Sequence, residues 1–166
     1  MASSPYPPID EWRVPEAAVA GTLAGVADGG RRGVESGVFW LGVRGPVSDV
    51  TAVVLLRGRG IIEARDRWEV SPEAYGRVGR RARERALVLL ATAHGHGFLP
   101  GLSSLDRRHL VRAPDLLALV LGDAGEERDP TRWSWNVCVD GGFRTLAGAE
   151  LARRVTFVTG SVQFAR

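Results

Sequence analysis

The sequence contains no lysine: all 22 of its basic residues are arginines, set against 19 acidic residues, for a formal net charge of +3. Its single cysteine, Cys138, excludes an intramolecular disulfide and any zinc site built on two thiolates. Long apolar runs are also missing, because stretches such as residues 86–93 are far too short to cross a bilayer. With no signal-peptide pattern at the N-terminus, these absences predict a cytoplasmic protein in a reducing compartment.

The exclusive use of arginine has two interpretations. Codon usage in a GC-rich genome explains it and also suits the 21 glycines. Selection against side-chain amines is the alternative. The net charge is too small to favour nucleic acid as a partner.

A length of 166 residues fits one domain. Prolines at positions 5, 7 and 8 predict an extended tail over residues 1–12, followed by a single domain over residues 13–166. Helices are predicted over residues 15–28 and 72–85, the second capped by Ser71. Strands are predicted over residues 38–43, 51–56, 61–70, 86–92, 116–121, 133–139 and 155–158. This order of elements indicates an α/β domain with a mixed β-sheet flanked by helices.

Two of the three histidines form the sequence His94-Gly95-His96, directly after the buried strand predicted over residues 86–92. Residues two apart on an extended chain point to the same side, so both imidazoles can reach one metal ion. The flanking glycines leave room around such an ion. Two surface histidines in a glycine-rich loop are the alternative that this pair alone leaves open.

A Ser-x-x-Asp sequence, Ser103 to Asp106, follows the next loop. This pattern is typical of a helix N-cap. It can also present Asp106 as a third ligand, which with His94 and His96 makes a three-ligand zinc site with a position open for water. The two interpretations are compatible, because a capping residue can also hold a metal.

Upstream, Glu35-Ser36-Gly37 opens a Glu-x-Gly-x-x-x-x-Gly pattern that ends at Gly42. Together with His-x-His and Ser-x-x-Asp, it resembles the JAMM motif of the JAB/MPN metalloprotease family, and the likeness in element order covers nearly the whole chain. The resemblance implies a layered MPN/JAB-like, cytidine-deaminase-like fold. It also implies one zinc ion per chain and cleavage after the C-terminal residue of a ubiquitin-like protein.

Carried over residue by residue, the resemblance makes His94, His96 and Asp106 the zinc ligands. It makes Glu35 the general acid/base beside the zinc-bound water and Ser103 a hydroxyl that stabilises the oxyanion. Two features depart from the family pattern: Gly97 replaces the usual proline, and the loop before Ser103 is one residue shorter than usual. Ser104 would restore the loop length, but it would leave Asp106 two residues away instead of three.

The expected function is therefore that of a single-domain, JAMM-type zinc peptidase acting on a ubiquitin-like protein in a conjugate or a precursor. The composition suggests a bacterial source. For a free-standing bacterial protein, the family resemblance implies a conjugation operon linked to phage defence, with an activating or a conjugating enzyme as a further partner. A lysine-free enzyme would offer no side-chain amine for self-conjugation. The alternatives are a peptidase that matures a sulfur-carrier protein, a non-catalytic MPN-like scaffold, and an arginine-rich nucleic-acid-binding domain.

Three smaller features have plain interpretations. His109 is expected on a helix surface rather than behind a metal ligand. Cys138 is expected to be a small buried side chain rather than a nucleophile. A cluster of arginines on the second helix is either a solvated face or a docking surface for an acidic partner; its members are Arg77, Arg80, Arg81, Arg83 and Arg85.

Overall fold

A long mixed β-sheet organises the chain in the computed structural model, which describes residues 6–165. The strands are β1 (Glu11–Pro15), β2 (Gly37–Val43), β3 (Val47–Leu55), β4 (Ile61–Ala64), β5 (Arg67–Val70), β6 (Val88–Gly95), β7 (Leu117–Leu121), β8 (Ser134–Val139), β9 (Gly142–Leu146), β10 (Val155–Val158) and β11 (Gln163–Ala165). The helices are α1 (Glu16–Arg31), α2 (Pro72–Arg83), α3 (Ser104–His109) and α4 (Gly148–Arg154).

Nine of these strands form one sheet within the described residues, in the order β10-β1-β3-β2-β6-β7-β8-β9, with β11 added to β3. Parallel pairs join β1 to β10 and β3, β11 to β3, and β6 to β7, while the other pairs are antiparallel. Strands β4 and β5 form a separate hairpin. The protein is thus a single-domain α/β protein with a mixed sheet and flanking helices, as the sequence predicts.

Helices cover the two faces of the sheet because successive side chains of β2 point in opposite directions. Trp40 points towards α1 and donates its indole N–H to Thr22 Oγ1 at 2.8 Å. Its neighbour Phe39 points towards α2 and stacks on Tyr75, with ring centroids 4.9 Å apart. The core on the α1 side is the larger of the two, and the core on the α2 side also contains Trp68 of the hairpin.

Several element boundaries differ from the sequence predictions. Strand β1 begins at Glu11, and Ile9 and Trp12 are 1% and 0% exposed, so the predicted tail over residues 1–12 enters the core at its C-terminal end. Residues 1–5 lie outside the described part. The strand predicted over residues 61–70 is a hairpin that turns at Arg65 and Asp66. Helix α3 follows the predicted N-cap at Ser103, whereas helix α4 and the strands β1, β9 and β11 are absent from the predicted set of elements.

Within residues 6–165, no helix combines the length and the apolar character needed to span a membrane.

Candidate metal centre

The two predicted histidine ligands lie at the C-terminal end of β6, a central strand of the sheet. His94 is in the strand, and His96 follows one residue after its end. Their Nε2 atoms are 3.1 Å apart, and the two side chains are 0% and 15% exposed. The two-residue spacing therefore places both rings on the same side of the chain, in a sheltered position.

Asp106 meets both rings from the N-terminus of α3. Its Oδ1 lies 3.2 Å from His94 Nε2, and its Oδ2 lies 3.2 Å from His96 Nε2. A capping box fixes the carboxylate, because Ser103 N–H donates to Asp106 Oδ2 at 2.7 Å while Asp106 N–H donates to Ser103 Oγ at 3.1 Å. The Asp106 side chain is thus both the acidic member of the capping box and a candidate metal ligand, as the sequence pattern allows.

Glu35 approaches from the segment just before β2. Its backbone N–H donates to Ala64 O in the hairpin at 2.7 Å. The next residue, Ser36, is buried and donates its hydroxyl to Gly25 O of α1 at 3.2 Å. These bonds anchor the segment on two sides and leave Glu35 Oε1 3.9 Å from His96 Nε2.

Trp68 of the hairpin forms one wall of the centre. Its ring stacks on His94 with centroids 5.4 Å apart and an interplanar angle of 18°. Gly37 makes this contact possible, because a Cβ atom there would lie 2.5 Å from the Trp68 ring. The glycine of the Glu-x-Gly sequence therefore provides the space for the indole that fixes the His94 ring.

Burial and mutual charge set the protonation of the centre. Burial raises the pKa of Glu35 from 4.5 to about 7, and the Asp106 carboxylate adds to this while His96 opposes it. Burial would also raise the pKa of Asp106, but hydrogen bonds with His94 and His96 hold it well below its usual range. Burial would lower the pKa of His96, but the hydrogen bond to Asp106 and the charge of Glu35 raise it on balance.

The donor spacing fits a divalent metal ion. In a tetrahedral zinc site with ligand bonds of about 2.0–2.1 Å, ligand atoms lie roughly 3.3 Å apart. The two Nε2 atoms are 3.1 Å apart, and each lies 3.2 Å from a different oxygen of Asp106, which is close to that value. One ligand atom each from Glu35, His94 and His96 also lies within 4.8 Å of the others, so this group too could hold an ion. Asp106 is the closer carboxylate to both rings.

The centre opens into a pocket of about 550 Å³ whose lining includes Glu35, His96 and Ser103. Ser103 Oγ accepts the Asp106 N–H bond, and the Ser103 hydroxyl also contributes to the lowered pKa of the Asp106 carboxyl group. Ser104 is exposed as the first residue of α3 and does not line the pocket. Of the two serines that the sequence leaves open, Ser103 is the one at the site.

Two other candidates lie away from the centre. His109 is 43% exposed and faces Glu69 with 3.5 Å between Nδ1 and Oε1, in agreement with a surface helix position. Cys138 is buried in β8, and burial raises the pKa of its thiol. Sequence reasoning missed Trp68 and the hairpin contact to Glu35; the Arg65-Asp66 turn was the signal for that hairpin.

The fold and these side chains together define an α/β protein with a candidate metal centre at the end of a central strand. No family model and no curated protein sequence matches the chain. Among solved structures, the solution structure of protein DSY2949 from Desulfitobacterium hafniense is similar, with a TM-score of 0.66 and 17% sequence identity. The match covers 90% of this chain and 94% of that one. At this identity the likeness establishes the shared fold alone.

Proposed function

We propose that the protein is a JAMM-type zinc peptidase with an MPN/JAB-like fold, in which His94, His96 and Asp106 hold the metal. The observation that carries the proposal is the convergence of both Nε2 atoms and the Asp106 carboxylate at 3.1–3.2 Å, with a second carboxylate, Glu35, beside them. Three separated parts of the sequence supply a histidine pair and two carboxylates of different protonation, which is a useful combination for hydrolysis and has no evident value for packing.

When bound, zinc would lower the pKa of a coordinated water towards about 7 and polarise the scissile carbonyl. The chain's residues supply the proton transfers. Glu35 lies beside His96 in the pocket, so its carboxylate can accept a proton from a zinc-bound water and give it to a leaving amine. Ser103 can donate its hydroxyl proton to the developing oxyanion, because the hydrogen bond from Asp106 N–H uses its oxygen only as an acceptor.

The proposed substrate is the C-terminal tail of a ubiquitin-like protein, joined to a lysine side chain or to a following segment. A narrow tail of small residues can bring its backbone close to a metal centre recessed in a pocket, and contacts with the folded domain can orient it. A bacterial conjugation pathway linked to phage defence is the proposed setting. The alternative, a peptidase that matures a sulfur-carrier protein, would use the same metal centre to cut a different C-terminal tail.

The decisive experiment separates metal binding from chemistry. E35Q is expected to retain about one zinc per chain, because Glu35 acts on the water, while turnover of a ubiquitin-like fusion falls by roughly 10²–10⁴. D106N and H94A are expected to lose most of the zinc. Metal content is measured by mass spectrometry after dialysis against a zinc buffer.

The E69Q variant is the matched control, since Glu69 pairs with His109 at the surface and does not line the pocket. Retained zinc in D106N with loss of zinc in E35Q would assign the third ligand to Glu35 and overturn the proposed roles. Well-folded wild-type protein that takes up no zinc would overturn the proposal altogether.

A further inference from the structure

A second concave surface lies between α2 and the sheet, at the opposite end of that face from the metal centre. It is a groove of about 330 Å³, floored by aliphatic side chains such as Leu41, Val54 and Val78, with Gln163 and Ala165 of β11 on its wall. Four exposed arginines complete the lining: Arg57, Arg77, Arg81 and Arg85. Within residues 6–165, the lining includes no aspartate or glutamate.

Three of these arginines form a stripe. Arg77 and Arg81 are four residues apart in α2, and Arg85 lies in the turn after the helix ends at Arg83, where its backbone N–H donates to Ala82 O. At a rise of about 1.5 Å per residue, Arg77 and Arg81 are about 6 Å apart along one side of the groove, and Arg85 extends the stripe past the end of the helix. The groove therefore presents a row of cations above an apolar floor.

The charge of the stripe is only partly compensated. The Arg77 guanidinium donates to the backbone carbonyl of Arg59. The pKa of Glu73, one turn earlier, is lowered mainly by hydrogen bonds from its own backbone N–H and from Ser71, and the Arg77 charge adds to this. The side chains of Arg81 and Arg85 make no hydrogen bond or ion pair with any residue in the described part of the chain. These two guanidinium groups are available to a partner.

Arg57, on the other side of the groove, pairs with Asp28 of α1. It therefore closes the groove without adding a free positive charge. The unpaired cations all belong to the α2 side, so a complementary partner must carry its negative charges along one side and apolar groups along the other.

We propose that this groove binds an extended acidic segment of a partner protein, in which carboxylates alternate with apolar side chains. Alternate side chains of an extended chain share one face and repeat about every 6.6–6.8 Å, close to the spacing of Arg77 and Arg81. One face of the segment pairs with Arg77, Arg81 and Arg85, and the other face packs on the aliphatic floor. The proposal does not depend on the metal centre.

The lining of the groove favours a partner segment that carries both negative charge and apolar side chains. A bare inorganic anion would satisfy the arginines but would leave the aliphatic floor uncovered. A segment in which carboxylates alternate with apolar side chains can pair with the arginines and also cover the aliphatic floor.

The test uses a fluorescein-labelled heptapeptide of alternating glutamate and leucine, with binding to the full chain measured by fluorescence anisotropy. The wild-type protein is expected to bind it, with affinity falling as salt increases. R81Q/R85Q removes the two unpaired cations and is expected to weaken binding about tenfold. R80Q/R83Q is the matched control: it removes two exposed arginines of α2 that do not line the groove, and binding is expected to stay within twofold.

A second peptide of the same composition, with its four glutamates followed by its three leucines, tests the alternation and is expected to bind at least fivefold more weakly. Thermal unfolding of both double variants checks that they fold. Equal weakening by the two double variants would show attraction to the general positive charge of α2 and overturn the site. So would equal binding of the two peptides, or no binding of the alternating peptide to the wild type.

Discussion

At the scale of single residues, the opposite protonation of two neighbouring carboxylates is the main electrostatic feature of the centre. Glu35 has its pKa raised to about 7 by burial, whereas Asp106 has its pKa lowered through its hydrogen bonds with His94 and His96. Environments that separate the pKa values of two neighbouring carboxyl groups in this way are typical of acid/base sites. Below about pH 7 the metal-free centre therefore contains one ionised carboxylate, Asp106, and one protonated carboxyl group, Glu35.

The raised pKa values predict how the stability of the metal-free protein varies with pH. A carboxyl that titrates at about 7 when folded and 4.5 when unfolded binds its proton more tightly in the folded state. Its contribution is therefore complete below about 4.5 and is lost as the pH rises to about 7. The raised pKa of His96 acts in the same direction. The free energy of unfolding, from urea titrations in a chelator, is expected to fall between pH 5 and pH 8.

E35Q is expected to flatten this pH dependence, because glutamine does not titrate. D66N is a suitable control, since Asp66 lines the same pocket but changes the pKa of Glu35 less than burial, His96 or Asp106 does. A wild-type free energy of unfolding that rises over this interval would contradict the assigned proton affinities.

The two adjacent serines allow a paired prediction. S103A removes the N-cap of α3, which costs about 1 kcal/mol of stability, and removes the proposed oxyanion donor, which costs roughly 10²–10³ in turnover. S104A leaves both in place, because Ser104 neither caps the helix nor lines the pocket. Urea unfolding and turnover of a ubiquitin-like fusion distinguish the two variants. Equal turnover of S103A and wild type would remove Ser103 from the chemistry.

Sequence patterns predict part of this site, and the rest depends on contacts that no local pattern shows. The common orientation of His94 and His96 follows from strand geometry, and the capping box follows from the Ser-x-x-Asp spacing. The approach of Glu35 depends on the contacts of Ser36 with α1 and of the backbone with the hairpin. Those contacts are long-range, so no local pattern reports them, and Glu35 entered the sequence prediction through the family resemblance.

At the scale of elements, short or irregular segments account for most of the differences between prediction and structure. The prolines before residue 9 suggest a tail, and they mask the alternation of Trp12 and Val14 that marks β1. Strand β11 has three residues and helix α4 has seven, which is below the length at which periodicity is informative. The central strands β6 and β7 were predictable because they are continuous apolar runs.

The contact between β2 and the hairpin leads to a prediction on Gly37. G37A places a methyl group 2.5 Å from the Trp68 ring and pushes that ring away from His94. Overpacking of this kind costs about 1–3 kcal/mol, and a displaced His94 is expected to weaken zinc binding. Urea unfolding and zinc titration measure the two effects.

G97A is the matched control, because a Cβ atom at Gly97 meets nothing within 4 Å and the residue lies in the loop after His96. It is expected to leave stability and zinc affinity close to the wild-type values. If G97A weakened zinc binding as much as G37A, the support of His94 by Trp68 would not be the cause.

At the scale of the whole molecule, the sheet places its two candidate surfaces at different ends of one face. The metal centre lies where β6 ends, beside the hairpin, and the arginine-lined groove lies under the C-terminal half of α2. An enzyme that cleaves a flexible tail gains specificity when a second surface holds the folded part of its substrate or an associated protein. The arrangement is therefore suited to a large protein substrate.

The last prediction concerns the substrate as a whole. Under the proposed function, the protein is expected to cut a fusion in which a cognate ubiquitin-like protein, ending in glycine or another small residue, precedes a reporter. Replacing that terminal residue with leucine is expected to lower turnover far more than binding, because misplacing the reacting carbonyl by about 1 Å can cost roughly 10²-fold. Gel-based cleavage rates and binding to the E35Q variant give the two quantities separately.

The isolated tail peptide is expected to be a poor substrate, because contacts with the folded domain supply the energy that orients the scissile bond. The comparison is made at equal concentrations of fusion and peptide, with chelator-treated enzyme as the blank for contaminating proteases. If the free peptide and the folded fusion were cleaved equally well, the centre would be that of a general peptidase. The metal ligands would then stand, while the assignment to ubiquitin-like proteins would fall, because the folded domain would contribute nothing to the orientation of its own tail.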